Sequence, residues 1–288
     1  MAYNRIQERS VRRAAERAFG SGHADVLLEA DAQRREPVVA AAGKPQPPAG
    51  AMPDERIDYV MLLRIAAGIP SAAVLDQWKA IEKRFSRRAL LAGSAGSGWR
   101  VLAAGDYGAC NAVRASLQLV SRDGVVREAE LVEFRSAVET LASKIGAQVT
   151  APGMREALET ARALDRLCAD TDVQVALHVV SDTASDAAID AAGAALGQAP
   201  CQVSRRPGGL SLVLDVPRTA DLVHAYEAMS RMAQRLAVEL GGRVVDDRGN
   251  ALEEAAFAAI EAQLEPVRAQ LAGAGIEAGG TLALRLFS

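Results

Sequence analysis

The sequence predicts an α+β fold: split βαβ units with mixed or antiparallel sheets and helices on one face, the whole internally duplicated. Three observations predict it. Apolar strand-like runs alternate with helices that each carry a single apolar stripe. The middle strands are joined by short glycine turns, too short for the crossover that a parallel pair needs. The same order of elements then occurs twice along the 288 residues.

Residues 1–53 stand apart. The stretch "YNRIQERSVRRAAERAF" reads as a short polar helix with more arginine than glutamate, and "GKPQPPAGAMP" reads as an extended Pro/Gly linker. A first αβ repeat is expected over 54–171. It opens on the strand "YVMLLRIAA", followed by a helix with Val74, Trp78, Ile81 and Phe85 at four-three-four spacing. The strand-like runs "ALLAG", "GWRVLAAG" and "AVRASLQLV" come next. A second helix places Leu131, Phe134, Val138, Leu141 and Ile145 on one stripe and stops at Gly146. A short strand at Gln148–Thr150 and a third helix from Arg155 complete the repeat.

A second, shorter repeat is expected over 172–288. "VQVALHVV" is its first strand, a small-residue helix follows, and "LSLVLDVP" is another strand. A long helix carries Leu222, Tyr226, Met229, Ala233, Leu236 and Leu240, and stops at Gly241-Gly242. The strand "RVV" and a last helix with Phe257, Ile260, Leu264, Val267 and Leu271 follow. Pro266 is expected to kink or split that helix. The final "TLALRLF" is expected to supply a strand.

Half of the residues are hydrophobic and 4% are aromatic, so the core is one of Ala, Leu and Val. A net charge of -3 gives no global reason to bind nucleic acid or a membrane surface. Three cysteines (Cys110, Cys168 and Cys201) lie far apart without metal-ligand spacing, which fits a reducing, cytoplasmic setting. His23, His178 and His224 form no metal motif. "GSAGSG" has the composition of a phosphate cradle but no Lys-Ser/Thr and no helix after it, and reads as a hairpin loop. The adjacent Asp246 and Asp247 invite an acid/base or metal reading. Neighbours in a strand or turn rarely converge on one atom, so they read first as a strand end and an Asp-rich turn into the last helix. No catalytic set, metal or cofactor is expected.

The open sheet face is the informative surface. On the first strand Val60, Leu62 and Arg64 share one face, with Met61, Leu63 and Ile65 on the other. On "GWRVLAAG", Trp99, Val101 and Ala103 share a face. Helices covering one side would leave an apolar strip with Trp99 on the other, and such strips mark partner sites. Two copies packing sheet on sheet is the competing arrangement, and would make a different protein-interaction module.

The run from "LSLVLDVP" through the long helix to "AVELGGRVVDDRGNAL" resembles the C-terminal FtsZ-binding domain of the bacterial cell-division protein ZipA. "YVMLLRIAAG", "GWRVLAAG" and "SLQLV" resemble it in the first repeat. The resemblance implies two partial tandem copies, no enzymatic activity, and an apolar groove on the open sheet face that takes the C-terminal tail of FtsZ. The matching positions are Val60, Leu62, Arg64, Trp99, Val101 and Ala103. In the second copy they are the more polar Gln174, Ala176, His178 and Val213. It also implies an N-terminal membrane helix ahead of the arginine-rich segment, which would put the full-length protein on the cytoplasmic face of the inner membrane. The chain itself is expected to be soluble and cytoplasmic, and a small enzyme using Asp246 or Asp247 is the remote alternative.

Overall fold

The computed structural model describes residues 51–288 except 97, 106, 107 and 198, so the expected N-terminal helix and most of the linker lie outside the described residues. The described chain divides into two compact units. The first holds residues up to Cys168 together with Arg285–Ser288, and the second holds Ala169–Leu284.

In the first unit β1 (Asp58–Pro70) leads into α1 (Ser71–Glu82). Then come β2 (Ala89–Ser94), β3 (Trp99–Val101), β4 (Ala109–Gln118) and a small hairpin of β5 (Val120–Ser121) and β6 (Gly124–Val125). α2 (Glu128–Lys144), β7 (Gln148–Thr150) and α3 (Met154–Thr171) follow, with the division between units falling inside α3. The strands form a sheet of order β3-β2-β4-β1-β7, and every given ladder is antiparallel.

Strand alternation decides what each face does. Tyr59, Met61, Leu63 and Ile65 of β1, with Val113, Ala115 and Leu117 of β4, lie under α1 and α2 and are all 6% exposed or less. Val74, Leu75, Trp78 and Ile81 supply the buried stripe of α1, and Leu131, Phe134, Val138 and Leu141 that of α2. Phe134 is the hub, with edge-on contacts to Tyr59, Trp78 and Phe85 at 6.4, 6.3 and 5.5 Å. Burying each such side chain contributes about 1.5–3 kcal/mol. The helix of α1 ends at Glu82, before Phe85, which reaches Phe134 from the following loop.

In the second unit β8 (Gln174–Val180), α4 (Asp186–Ala195), β9 (Gln202–Arg206) and β10 (Gly209–Asp215) are followed by a 3-10 turn at Val216–Arg218. The long α5 (Leu222–Glu239), β11 (Arg243–Val245) and α6 (Glu254–Gly273) come next. The sheet order is β11-β8-β10-β9, again antiparallel. Val175, Leu177 and Val179 with Leu210, Leu212 and Leu214 meet the stripe of α5, in which Leu222, Tyr226, Met229, Ala233, Leu236 and Leu240 are all buried. α6 packs against α5, and the Tyr226 hydroxyl donates to the Phe257 carbonyl at 3.0 Å. Pro266 lies inside α6 without splitting it.

The double glycine after α5 meets two separate demands. Gly241 takes φ +58, which suits glycine at a helix end. Gly242 approaches the backbone of β8 so closely that a Cβ would stand 2.2 Å from the Val180 carbonyl oxygen.

The C-terminal segment corrects one expectation. "TLALRLF" is not a strand: Thr281–Leu286 is a helix, α7, and its last turn with Phe287 and Ser288 belongs to the first unit. Arg285 has no exposed side-chain surface. Its Nη2 donates to Asp58 Oδ1 and its Nη1 to the Met52 carbonyl at 3.2 Å, while Gln118 Nε2 donates to the Arg285 carbonyl at 2.9 Å. Burial pushes the Asp58 carboxyl above its ordinary value, and the charge of Arg285 pulls the other way.

Candidate binding face

The face of the first sheet turned away from α1 and α2 is a grid of side chains, because partners across an antiparallel ladder point the same way. One row reads Thr150, Leu62, Arg114, Ala92 and Val101 across β7, β1, β4, β2 and β3. The next reads Gln148, Arg64, Ala112, Ser94 and Trp99. The row before them holds Val60, Ser116 and Leu90. With strands about 4.8 Å apart, Leu62 and Val101 are about 14 Å from each other, as are Arg64 and Trp99. The residues between Arg64 and Trp99 are Ala112 and Ser94, so the middle of that row is low.

The structure therefore puts Val60, Leu62, Arg64, Trp99 and Val101 on one face. Leu62, Trp99 and Val101 are half-buried and Arg64 is exposed, whereas Val60 is buried. Ala103 is different. β3 ends at Val101, so Ala103 is an exposed loop residue outside the ladder and its face cannot be read from strand alternation. A register shift in β1 between Arg64 and Ile69 closes the regular part of the grid at Arg64.

Two features of the face were not anticipated. Arg114 stacks on Trp99, with the guanidinium carbon 4.4 Å from the ring centre. The alternation of β4 carries the signal for it, since Val113, Ala115 and Leu117 face the helices and Arg114 must face away. The second feature is α3. The expectation of helices on one face holds for α1 and α2, but the first turns of α3 stand beside the opposite one. Glu156, Ala157 and Thr160 line a concavity of about 510 Å³ together with Val60, Leu62 and Arg114. The turn Ala151-Pro152-Gly153 carries the chain there, and the Tyr59 hydroxyl donates to the Pro152 carbonyl at 3.2 Å. The open strip is thereby walled on one side and becomes a shallow groove.

The corresponding face of the second sheet is polar. It presents Gln174, Ala176 and His178 of β8, Ser211 and Val213 of β10, and Gln202 and Ser204 of β9. His178 Nδ1 lies 2.9 Å from Ser211 Oγ, and its Nε2 lies 2.9 Å from Asp247 Oδ1. A histidine therefore stands beside Asp247, brought there by β8 from 69 positions upstream. The row has the residue types of a nucleophile, base and orienting acid. A serine nucleophile also needs amide donors for the developing oxyanion. Ser211 instead sits mid-strand, paired with β8 on one side and β9 on the other, in a flat ladder without a nucleophile's sharp turn. Asp246 turns the other way and caps a loop: its Oδ1 accepts from the backbone N–H groups of Arg248 and Asn250 at 2.9 and 2.8 Å. Burial pulls its carboxyl up, but the Asn250 side chain, which donates to Oδ2 at 3.1 Å, together with these backbone bonds and the charge of Arg248, holds it below the ordinary value. The two aspartates do not converge, and among the described residues no group of three His, Cys, Asp or Glu is placed to hold a metal ion.

This geometry defines an α+β chain with a concavity beside the open face of its first sheet and a polar face on its second. Residues 204–263 match the family model of the ZipA C-terminal FtsZ-binding domain, so the chain is ZipA-like over the stretch from β9 through β10, α5 and β11 into α6. The match spans about a fifth of the chain. No curated protein and no solved structure matches it. Among the described residues no helix is long and apolar enough to cross a membrane.

Proposed function

We propose that this chain is a non-catalytic cell-division adaptor that binds the C-terminal tail of FtsZ and contributes to septum assembly. The observation that carries the reading is the ZipA-type match in the second unit, combined with the walled apolar groove of the first. The tail lies over Val60, Leu62, Arg64, Trp99 and Val101, with Ala103 at the end of the strip. Its apolar side packs on Leu62 and Trp99. The second unit offers the alternative seat, because the family match falls there, over the face of Gln174, Ala176, His178 and Val213. In the cell the full-length protein stands on the cytoplasmic face of the inner membrane, anchored by a helix ahead of the arginine-rich segment.

Titration of the full chain with a peptide of the FtsZ tail tests this. Leu62→Glu and Trp99→Ala should each weaken binding by about 2 kcal/mol, the cost of losing a central anchor. Val213→Glu should leave it unchanged. The reverse pattern moves the seat to the second unit, and absence of binding by the unaltered chain refutes the FtsZ role.

A further inference from the structure

Along the strip the two arginines lie at and beyond Leu62, Arg114 beside it and Arg64 one step further, and the order of these charges carries a reading that rests on the peptide-binding role proposed above. Along β1 the same-face positions run Val60, Leu62, Arg64, in steps of about 6.8 Å. Arg114 stands opposite Leu62 on β4, with its guanidinium carbon over the Trp99 ring. Among the described residues neither Arg64 nor Arg114 has a carboxylate partner. The stacking holds the Arg114 guanidinium in one plane and leaves its N–H edge available to a carboxylate. At the opposite end, Glu55 and Glu156 line the same concavity and, among the described residues, form no ion pair. Asp58, also at that end, is already engaged by Arg285. Glu156 belongs to the first turn of α3, where the helix dipole favours an anion, so Glu55 is the less compensated of the two.

We propose that the groove reads the charge order of its peptide. The occupant is a short apolar segment with an acidic residue at one end, which docks on Arg64 and Arg114. Its other end lies toward Glu55 and Glu156 and tolerates or prefers a basic residue. Val60 and Arg64 are about 13 Å apart, which accommodates an apolar core of about four extended residues or about nine helical ones. Uncompensated rim charges of opposite sign at the two ends contribute direction and selectivity more than raw affinity.

The test uses the full chain and two peptides titrated in parallel: a designed probe of two aspartates followed by six apolar residues, and the FtsZ tail. The unaltered chain should bind the probe. Arg64→Glu, on an exposed position, should weaken it about fivefold, and Arg64→Glu with Arg114→Glu at least tenfold, in line with rim charges that act on encounter and register. A nitroxide on the aspartate end should broaden the amide signals of Arg64 and Arg114 before those of Glu55 and Glu156. Failure of the probe to bind, affinity indifferent to both Arg variants, or broadening first at Glu55 overturns the charge order. FtsZ-tail binding that ignores charge overturns it while leaving the FtsZ role standing. Charge-ordered probe binding without FtsZ-tail binding supports it and removes the FtsZ role.

Discussion

Arg285→Met should cost the first unit most of its margin of stability. Arg285 and Asp58 have no exposed side-chain surface, and Arg285 is the cation that offsets the burial of that carboxylate. Methionine keeps the length and apolar volume of the arginine stem but leaves Asp58 buried without its counter-charge. Breaking one side of a buried pair in this way costs about 3–5 kcal/mol, against the roughly 5–15 kcal/mol that holds a typical domain. With a urea slope of about 1–1.5 kcal/mol per molar, the unfolding midpoint should fall by about 2–5 M. Tryptophan fluorescence is the assay, because the chain has two tryptophans, Trp78 and Trp99, and both lie in the first unit. The double variant Arg285→Met, Asp58→Asn should recover much of the loss, since a buried pair replaced as a whole by neutral groups is often close to neutral in cost. A single variant that loses less than about 1 kcal/mol, or a double variant as damaged as the single, would refute the assignment of Arg285 as the compensating charge.

Three further outcomes follow from the same structure. Because burial raises the Asp58 pKa above its ordinary value of 3.8, between 3.8 and the raised value the folded chain holds a proton there that the unfolded chain has released, while at higher pH Asp58 is the carboxylate paired with Arg285. The Asp58 contribution to stability therefore rises as pH falls through the raised value and levels off below 3.8, and urea midpoints measured across that window should lose this component in Asp58→Asn. Gly242→Ala should destabilise the second unit by about 1–3 kcal/mol, because a Cβ at 2.2 Å from the Val180 carbonyl forces β8 and the end of α5 apart. Hydrogen exchange of β8 and β11 amides should show the loss, and unchanged protection would contradict the close approach. Leu212→Ala, at a side chain with no exposed surface, should cost about 2–5 kcal/mol and accelerate exchange through β10. A loss under 1 kcal/mol would mean that the Leu177, Leu212 and α5 layer is not the core of that unit.

The parts legible in the sequence were those written in local periodicity. The stripes of α1, α2 and α5, the Gly241-Gly242 stop and the alternation of β1 each rest on residues a few positions apart, and the structure buries the stripe residues that the pattern selects except Phe85 and Ile145, which are half-buried just past their helices. Alternation groups Val60 with Leu62 and Arg64, and Trp99 with Val101, but that the two sets share a face comes from the family resemblance and follows in the structure from the ladders through β4 and β2. What failed depended on distant partners. Arg285 meets Asp58 across 227 positions, so nothing in "TLALRLF" showed that its end would be drawn into the first unit as a helix. His178 reaches Asp247 across 69. Ala103 was lost for a smaller reason: the strand ended two residues early, and a face read by alternation lasts only as long as the strand.

The path of one helix separates the two units more than their strands do. In the order β2-β4-β1-β7 and in the order β9-β10-β8-β11, strands of equal rank hold equal places, with β3 extra in the first sheet. Helices follow equal strands too: α1 and α4, α2 and α5, α3 and α6. The two sheets therefore share one order of strands and helices, with no strand of the second in the place of β3 among the described residues. The third helices then diverge. After β11 the chain turns through the loop capped by Asp246, and α6 packs on α5, on the helix side. After β7 it turns through Ala151-Pro152-Gly153, and α3 begins beside the open face, where Ala157 and Thr160 line the concavity with Val60 and Leu62. A wall of this kind converts a flat apolar strip, which would otherwise invite non-specific association, into a groove of defined width. The corresponding face of the second sheet carries His178, Ser211 and Gln202 instead, and both nitrogens of the His178 ring are already engaged by Ser211 and Asp247. Side-chain chemistry and helix path thus differ together between the two units, and the family match lies in the second.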